Sequence, residues 1–576
     1  MRARFVYLLL VVTLLVAGAI PPIMRPWICD DAFITLRYVR NANAGLGLVY
    51  NAGEHVEGYT HFLWTILLWF FARLGIDPVV VGTWLPLPFH LATLWLLLRA
   101  SQTLWPAGAF PAPRRKQSAD RSAGRSKTAV EGSQAGNKTK AVVFALPVAA
   151  ALWAVHRDAL VFASGGLETA AYGFFLLLGF SLLAAGGGSR SRDAAMAAYA
   201  GAALLRPEGL LHLGVALATL TRTPRRDLLR AGCIAALLVA PLYVWRLAYY
   251  HDILPNAYYA KSAAHARWGQ GWFYVGLFGR YYAALGIAAL AGMALVARSR
   301  APRPLLLAAA HALVIVLTTA YVGGDFMFAR FLLPATPFLA LLAEHAVRQA
   351  RTARTALATL LILATLAGGI WRERTMRWPK MPRGIVDEHS FYPLADVKAR
   401  RAHGELIASC LGSSDAAFLV LGAQAMLAYY GRFPVAIEMH GLTDRTIARA
   451  PLPSRGRPGH ERQPTMQYLF QRQVRFMILQ PGTQPKKDFA RIRFGDILGE
   501  IVTYDRRLME QVRRCKEVEF VDFPAYLDEY LRRAPSLSAD ALARDLATFK
   551  WYYFDLNDDP ERLGRLQSLL QEKRGH

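Results

Sequence analysis

Cysteine is scarce. Cys29, Cys233, Cys410 and Cys515 are the only four in 576 residues, and none has the spacing of a metal-ligand pair. Cys410 and Cys515 could pair if the C-terminal part lies outside the cytoplasm, a point the sequence leaves open. Acidic residues are also in short supply, 41 Asp and Glu against 67 Lys and Arg, for a net charge of +26. Such a surplus can mark nucleic-acid binding, but no zinc-finger or RNP-like pattern is present. Many of the arginines stand in short clusters between apolar runs, where the positive-inside rule places them. No nucleic-acid partner is expected. Internal repeats are absent, and no small-x-small cleavage site follows the first apolar run cleanly, which argues against a signal peptide. Long apolar runs are lacking beyond about Ile370.

Before that point they dominate. At 54% hydrophobic the chain is too apolar for an ordinary soluble protein of its length. The run 5–23 follows Arg2 and Arg4 and reads as a first transmembrane helix with its N-terminus inside. Residues 62–75 are short and rich in Trp and Phe, as at an interface, and 78–100 can span. The segment 101–140 is basic and rich in Ser and Gly, and reads as a disordered cytoplasmic linker. Further apolar runs follow at 141–157, 169–185, 194–220, 231–249, 273–297, 304–322, 331–346 and 355–371. The run 194–220 is broken at Arg206-Pro207-Glu208-Gly209, which predicts two short helices meeting inside the bilayer. The expectation is an α-helical polytopic membrane domain, 1–371, with about eleven crossings. A soluble domain, 372–576, is expected outside. There, strand-like runs (AAFLVLG, VRFMIL, KEVEFVDF) alternate with helical ones, which predicts an α/β or α+β fold.

The polar signal gathers between Cys29 and His61, where Asp30 and Asp31 open a segment carrying Arg37, Tyr38, His55 and Glu57. The topology puts Glu168, Arg206, Glu208, His251, Lys261, Asp325 and Arg330 on that same outer side. Carboxylates can act as a general base, and Arg and Lys can hold phosphate. Together they suggest transfer from a phosphate-bearing donor to a hydroxyl at the membrane surface. Plainer roles exist for each. An acidic pair can be a solvated helix end, His55 and Glu57 can cap a helix, and Arg-Pro-Glu-Gly can be a simple break. Lys261 can anchor at the interface, and Asp325 with Arg330 can be a structural pair. In the tail, His440, Asp444 and His460 lie on loops that could form a lid or acceptor-side wall, with Asp444 equally suited to cap a helix at Arg445.

The stretch CDDAFITLRYVRNANAGLGLVYNAGEHVEGYT, with LLRPEGLL, GGDFMFARFLLPA and IEMHGLTDRTIARAPLP in that order, resembles the GT-C superfamily of polytopic glycosyltransferases. More narrowly it is similar to the mycobacterial terminal β-(1→2)-arabinofuranosyltransferase group and its Gram-negative relatives. The resemblance runs from the first loop to about His460 and departs in 101–140 and after His460. It implies a polyprenyl-phosphate sugar donor, with arabinofuranose the leading pentose. The acceptor would be a cell-envelope glycan or glycoprotein, reached on the periplasmic side of a bacterial inner membrane. It also implies that Asp30 or Asp31 is the base. Arg206, Lys261 and Arg330 are the donor-phosphate candidates, on charge and topology. Arg37, Tyr38, His55, Glu57, Glu168, Glu208, His251, Asp325, His440, Asp444 and His460 are the substrate-side candidates. Some GT-C enzymes use a divalent metal (Mg, Mn or Ca); Asp30 and Asp31 are its only suggested ligands and are weak evidence for one. The rival readings are a transporter or flippase for lipid-linked sugars, and a non-enzymatic envelope assembly protein.

Overall fold

The computed structural model describes all residues except 1, 106–145, 263–264, 299–302, 351, 378, 380, 393, 413, 423, 453–454, 458, 481 and 576. The basic 101–140 segment therefore lies almost wholly outside the described residues. Among the described residues five helices are long and apolar enough to cross a membrane: Phe5–Met24, Pro78–Leu104, Arg225–Tyr250, Arg303–Val322 and Arg354–Thr375. A sixth crossing is counted if Trp268–Tyr281 and Ala283–Arg298, bent by 102° at their junction, form one span.

That is fewer than the eleven expected from hydropathy. A crossing takes about 20 residues, and several apolar runs are cut before they reach that length. His156 adopts an extended conformation and splits Val148–Val155 from Arg157–Val161. Arg206 is likewise extended and separates Ser189–Leu205 from Gly209–Thr219, the break anticipated at Arg-Pro-Glu-Gly. Thr169–Ala184 and Thr336–Gln349 are short, and most of their residues are buried in the helical body. Hydropathy registers burial in protein and burial in lipid alike.

After Thr375 the chain builds a six-stranded mixed sheet. Its strands are β1 (Ala417–Val420), β2 (Val435–Glu438), β3 (Val474–Ile478), β4 (Arg491–Phe494), β5 (Ile497–Ile501) and β6 (Val518–Phe520), in the order 2-1-3-5-4-6. The β2-β1-β3 half is parallel, and the β3-β5-β4-β6 half is antiparallel. The three strand-like runs read from the sequence become β1, β3 and β6. Cys410 and Cys515 form a disulfide that ties the helix Leu394–Leu411 to the segment just before the edge strand β6.

The C-terminal region is docked firmly on the helical body. One continuous cluster of buried side chains runs through both. Phe33, on the helix Asp30–Asn43, packs edge-on to Tyr429 and tilted against Tyr430. The seam is also polar. Arg37, almost fully buried, donates to the carbonyls of Tyr50, Ala428 and Phe433 and to Asn51. Asn256 donates to the carbonyls of Gly441, Leu442 and Asp444.

Candidate active site

The adjacent carboxylates Asp30 and Asp31 have opposite fates. Both lie in the first turn of the helix Asp30–Asn43, where negative charge complements the helix dipole. Asp30 is buried, and both its oxygens are taken. Oδ2 accepts from the Ala425 amide at 2.6 Å and Oδ1 from the Met426 amide at 2.9 Å. Those amides open the helix Ala425–Tyr430 of the C-terminal region, so Asp30 is a tie between the two parts of the chain. Burial pushes its carboxyl up to about 6 despite the two amides.

Asp31 is only partly buried and makes no hydrogen bond or ion pair among the described residues. It sits in a field of charges. Burial raises its pKa, Lys261, Arg330 and Arg457 pull it down, and Asp325 pushes it up. Glu388 faces the same space from the C-terminal side. Burial, with Asp31 next in size, pushes its carboxyl up to about 8. Here is a carboxylate free to accept a proton, surrounded by cations, where two parts of the chain meet.

The frame around it is rigid. Trp27 and Cys29 exchange backbone hydrogen bonds with Gly165, in a parallel bridge centred on Ile28. At Gly166 (φ +83°) an added Cβ would stand 2.6 Å from that of Ala32, so the turn must be glycine to approach the Asp30–Asn43 helix. Glu168 follows and is the electrostatic hub. It takes Arg206 at 3.2 Å and Arg330 at 3.3 Å, with His61 Nδ1 at 3.6 Å. Burial pushes this carboxyl up, but Arg330, His61 and Arg206 outweigh it and hold it at about 2. Arg330 also reaches Asp325 at 3.3 Å, and Arg206 reaches Glu208 at 3.4 Å. The segment Phe326–Phe328 hydrogen-bonds to Val386, which carries Glu388 into place two residues on.

Lys261 is half-buried and has no ion-pair partner among the described residues. The tail loop closes over it: a Cβ on Gly459 would stand 3.6 Å from Lys261 Cε. The His460 ring packs edge-on against Phe326 at 4.8 Å and against His440 at 4.6 Å. Glu461 pins this loop by pairing with Arg267 and Arg455.

Several sequence candidates belong elsewhere. Arg37 is committed to the seam, and the Tyr38 hydroxyl donates to Val56 and accepts from Gly58. Glu57 is locked to the buried Arg246 at 2.8 Å, since a buried guanidinium needs a counter-charge. Its carboxyl is pushed up to about 7 by burial. His55 is exposed and packs on Tyr249 at 4.4 Å. His251 is exposed in a left-handed conformation that ends the Arg225–Tyr250 helix. Asp444 takes the capping role: Oδ1 accepts from the Ile447 amide at 3.0 Å, and Oδ2 binds Tyr468 and Arg472. This leaves it turned into the scaffold, not toward a cavity. Glu388 and His61 were missed as site residues. Their only signal was local, a polar Asp-Glu-His cluster just past the last apolar run and a lone His before a Trp-rich one.

As for a metal, Asp30 has spent its oxygens on amides. Among the described residues no three His, Cys, Asp or Glu side chains gather as a ligand set. The acidic pair does not fit the divalent cation suggested for it.

No family model matches the chain. It is 32% identical over 427 residues to the terminal beta-(1->2)-arabinofuranosyltransferase of Mycobacterium tuberculosis, covering 64% of this chain and 63% of that protein. It is 29% identical over 405 residues to the protein of the same name from Corynebacterium glutamicum, covering 64% of this chain and 55% of that one. The chain thus spans under two thirds of the length of either. Among solved structures, ArnT from Cupriavidus metallidurans in the apo state superposes with a TM-score of 0.51 at 14% identity, over 84% of this chain and 94% of that one. The chain has the GT-C fold. The undecaprenyl-phosphate-bound form of that ArnT aligns at a TM-score of 0.48, with 74% and 85% covered, and adds no weight. A GT-C fold and distant homology to arabinofuranosyltransferases accord with a multi-pass membrane protein whose apolar helices support a mixed-sheet region.

Proposed function

We propose that the chain is a polyprenyl-phosphate-sugar-dependent glycosyltransferase that moves a pentose, arabinofuranose, onto a cell-envelope glycan or glycoprotein. The observation that carries this reading is the unpartnered Asp31 carboxylate beside Lys261, Arg330 and Arg457. Distant homology to two arabinofuranosyltransferases supports the sugar.

In this mechanism Asp31 is the base. It takes the proton of the acceptor hydroxyl as that oxygen attacks the anomeric carbon. The bond from the anomeric carbon to the phosphate oxygen breaks, and the electron pair leaves on polyprenyl phosphate. Negative charge then grows on the phosphate, where fixed cations lower the barrier. Lys261 is the first contact, because it is uncommitted. Arg330 and Arg206 share Glu168, which holds their guanidiniums in place at the cost of part of their charge. The tail loop bearing His460 is the acceptor-side wall.

The site opens at the end of the helical body that carries the sheet, and this end faces the periplasm of a bacterial inner membrane. The Cys410–Cys515 disulfide favours that orientation, since such bonds persist in oxidising compartments. The test is transfer of labelled arabinofuranose from a synthetic polyprenyl-phosphate donor to an arabinan acceptor by the purified full chain. Transfer by the wild type and a loss of about a hundredfold in Asp31→Asn are expected. A wild type that moves the lipid donor across vesicles without forming product would overturn the reading in favour of a flippase.

A further inference from the structure

Away from the Asp31 site, a cleft of about 630 Å³ opens at the seam between the helical body and the sheet region. It is lined chiefly by Arg40, Arg401, Arg432, Glu405, Tyr429 and Tyr430. Arg40 lies nine residues beyond Asp31 on the same helix, about 13 Å along its axis, so the two sites are separate.

The arginines come from three different elements and are presented, not buried. Arg40 donates to the Tyr429 carbonyl and lies 5.1 Å from the centre of the Tyr429 ring. Arg401 lies 5.5 Å from the Tyr430 ring; its Nε goes to Glu405 at 2.8 Å, which leaves both terminal nitrogens for a ligand. Phe33 backs both rings, so the cation–π stacks have a fixed base. Arg432 is exposed, its side chain makes no hydrogen bond or ion pair among the described residues, and it sits at φ +50°. A left-handed conformation is uncommon for a residue with a Cβ, and such strain concentrates at functional positions. Three guanidiniums sharing one cleft repel each other, and an anion relieves that repulsion while accepting forked hydrogen bonds.

The cleft's position narrows the anion. The charge of Asp77 acts on Arg401, Tyr429 and Tyr430. Asp77 caps the start of the span Pro78–Leu104, and beside it Leu74 and Ile76 are exposed. The basic cleft therefore stands where a membrane span ends and lipid headgroups begin.

We propose that this cleft binds the phosphate of an anionic membrane lipid, and so holds the sheet region down on the membrane surface independently of sugar transfer. Native mass spectrometry of the detergent-purified full chain, titrated with phosphatidylglycerol or phosphatidylcholine, tests it. The wild type should prefer phosphatidylglycerol by about tenfold, and Arg401→Gln/Arg432→Gln should lose most of that preference. Should the double variant fail to fold, Arg432→Gln alone, whose side chain is exposed and unbonded among the described residues, should still lower it about threefold. An equal affinity for the two lipids, or a preference untouched by the variants, overturns the proposal. An arm with inorganic phosphate separates the sources. If millimolar phosphate displaces the lipid in an arginine-dependent way, the ligand is a free anion and the lipid assignment falls.

Discussion

Replacing Asp30 and Asp31 separately should give opposite failures. Asp30→Ala strips the acceptor from two buried amides, Ala425 and Met426. Each orphaned donor costs about 1–3 kcal/mol. Against this, the buried charge itself disappears. A carboxyl pushed up from 3.8 to about 6 carries roughly 3 kcal/mol of disfavour in its charged form. The net effect for Ala then runs from about a 1 kcal/mol gain to about a 3 kcal/mol loss, and for Asn, which keeps one acceptor, it is smaller. Transfer by Asp30→Ala should fall only as far as the sheet region undocks. Asp31→Asn removes no hydrogen bond, so thermal unfolding followed by tryptophan fluorescence should match the wild type, while transfer drops about a hundredfold. The assay pairs that unfolding curve with single-turnover transfer on the same preparation. A dead, fully stable Asp30→Asn beside an active Asp31→Asn would refute the assignment of roles.

Glu388 sets a pH signature. Its folded pKa is raised from 4.5 to about 8 by burial, then by Asp31, so the native state holds a proton that the unfolded chain has released. Its stabilising effect is complete below about 4.5 and is lost as pH rises through about 8. The unfolding free energy should keep falling between pH 7 and 8, by up to about 1.4 kcal/mol per pH unit, and Glu388→Gln should flatten that limb. Asp444→Ala should cost about 1–2 kcal/mol through the lost cap and leave acceptor affinity unchanged, whereas His460→Ala should raise the acceptor KM several-fold at constant stability. Alkaline phosphatase fused within 101–140 should be inactive and fused after Arg400 active; the reverse pattern would invert the topology and move the site to the wrong face.

The parts of this architecture that could be read from the sequence are those written in local chemistry. The Arg-Pro-Glu-Gly break, the strand-like runs that become β1, β3 and β6, and the helix cap at Asp444, one of the two roles open to it, depend on neighbours in the chain, and periodicity or a single residue type betrays them. The clustering of Glu168, Arg206, Asp325 and Arg330 was legible for a different reason. A charge beside an apolar run needs a partner, and the loops that carry these four share one end of the bundle. What could not be read was which partner each group finds across the seam. Asp30 and Asp31 are indistinguishable in one dimension. The first becomes a structural tie only because a helix that begins nearly four hundred residues later points its amides at it.

The same seam misdirected the reading of Arg37, Tyr38 and Glu57. Each is a polar residue in the most suggestive stretch of the chain, and each is consumed in holding that stretch still. A base is useful only if it is held at a fixed place and left without a partner, and the two demands fall on different residues. The dense polarity of residues 29–61 therefore overstates the members of the candidate site: several of those groups anchor the segment, while the Asp31 carboxylate is left without a hydrogen bond or ion pair among the described residues. The number of crossings was overcounted for a related reason. Thr169–Ala184, for example, is apolar but shorter than a span, and most of its residues are buried in protein just past Glu168 instead of facing lipid.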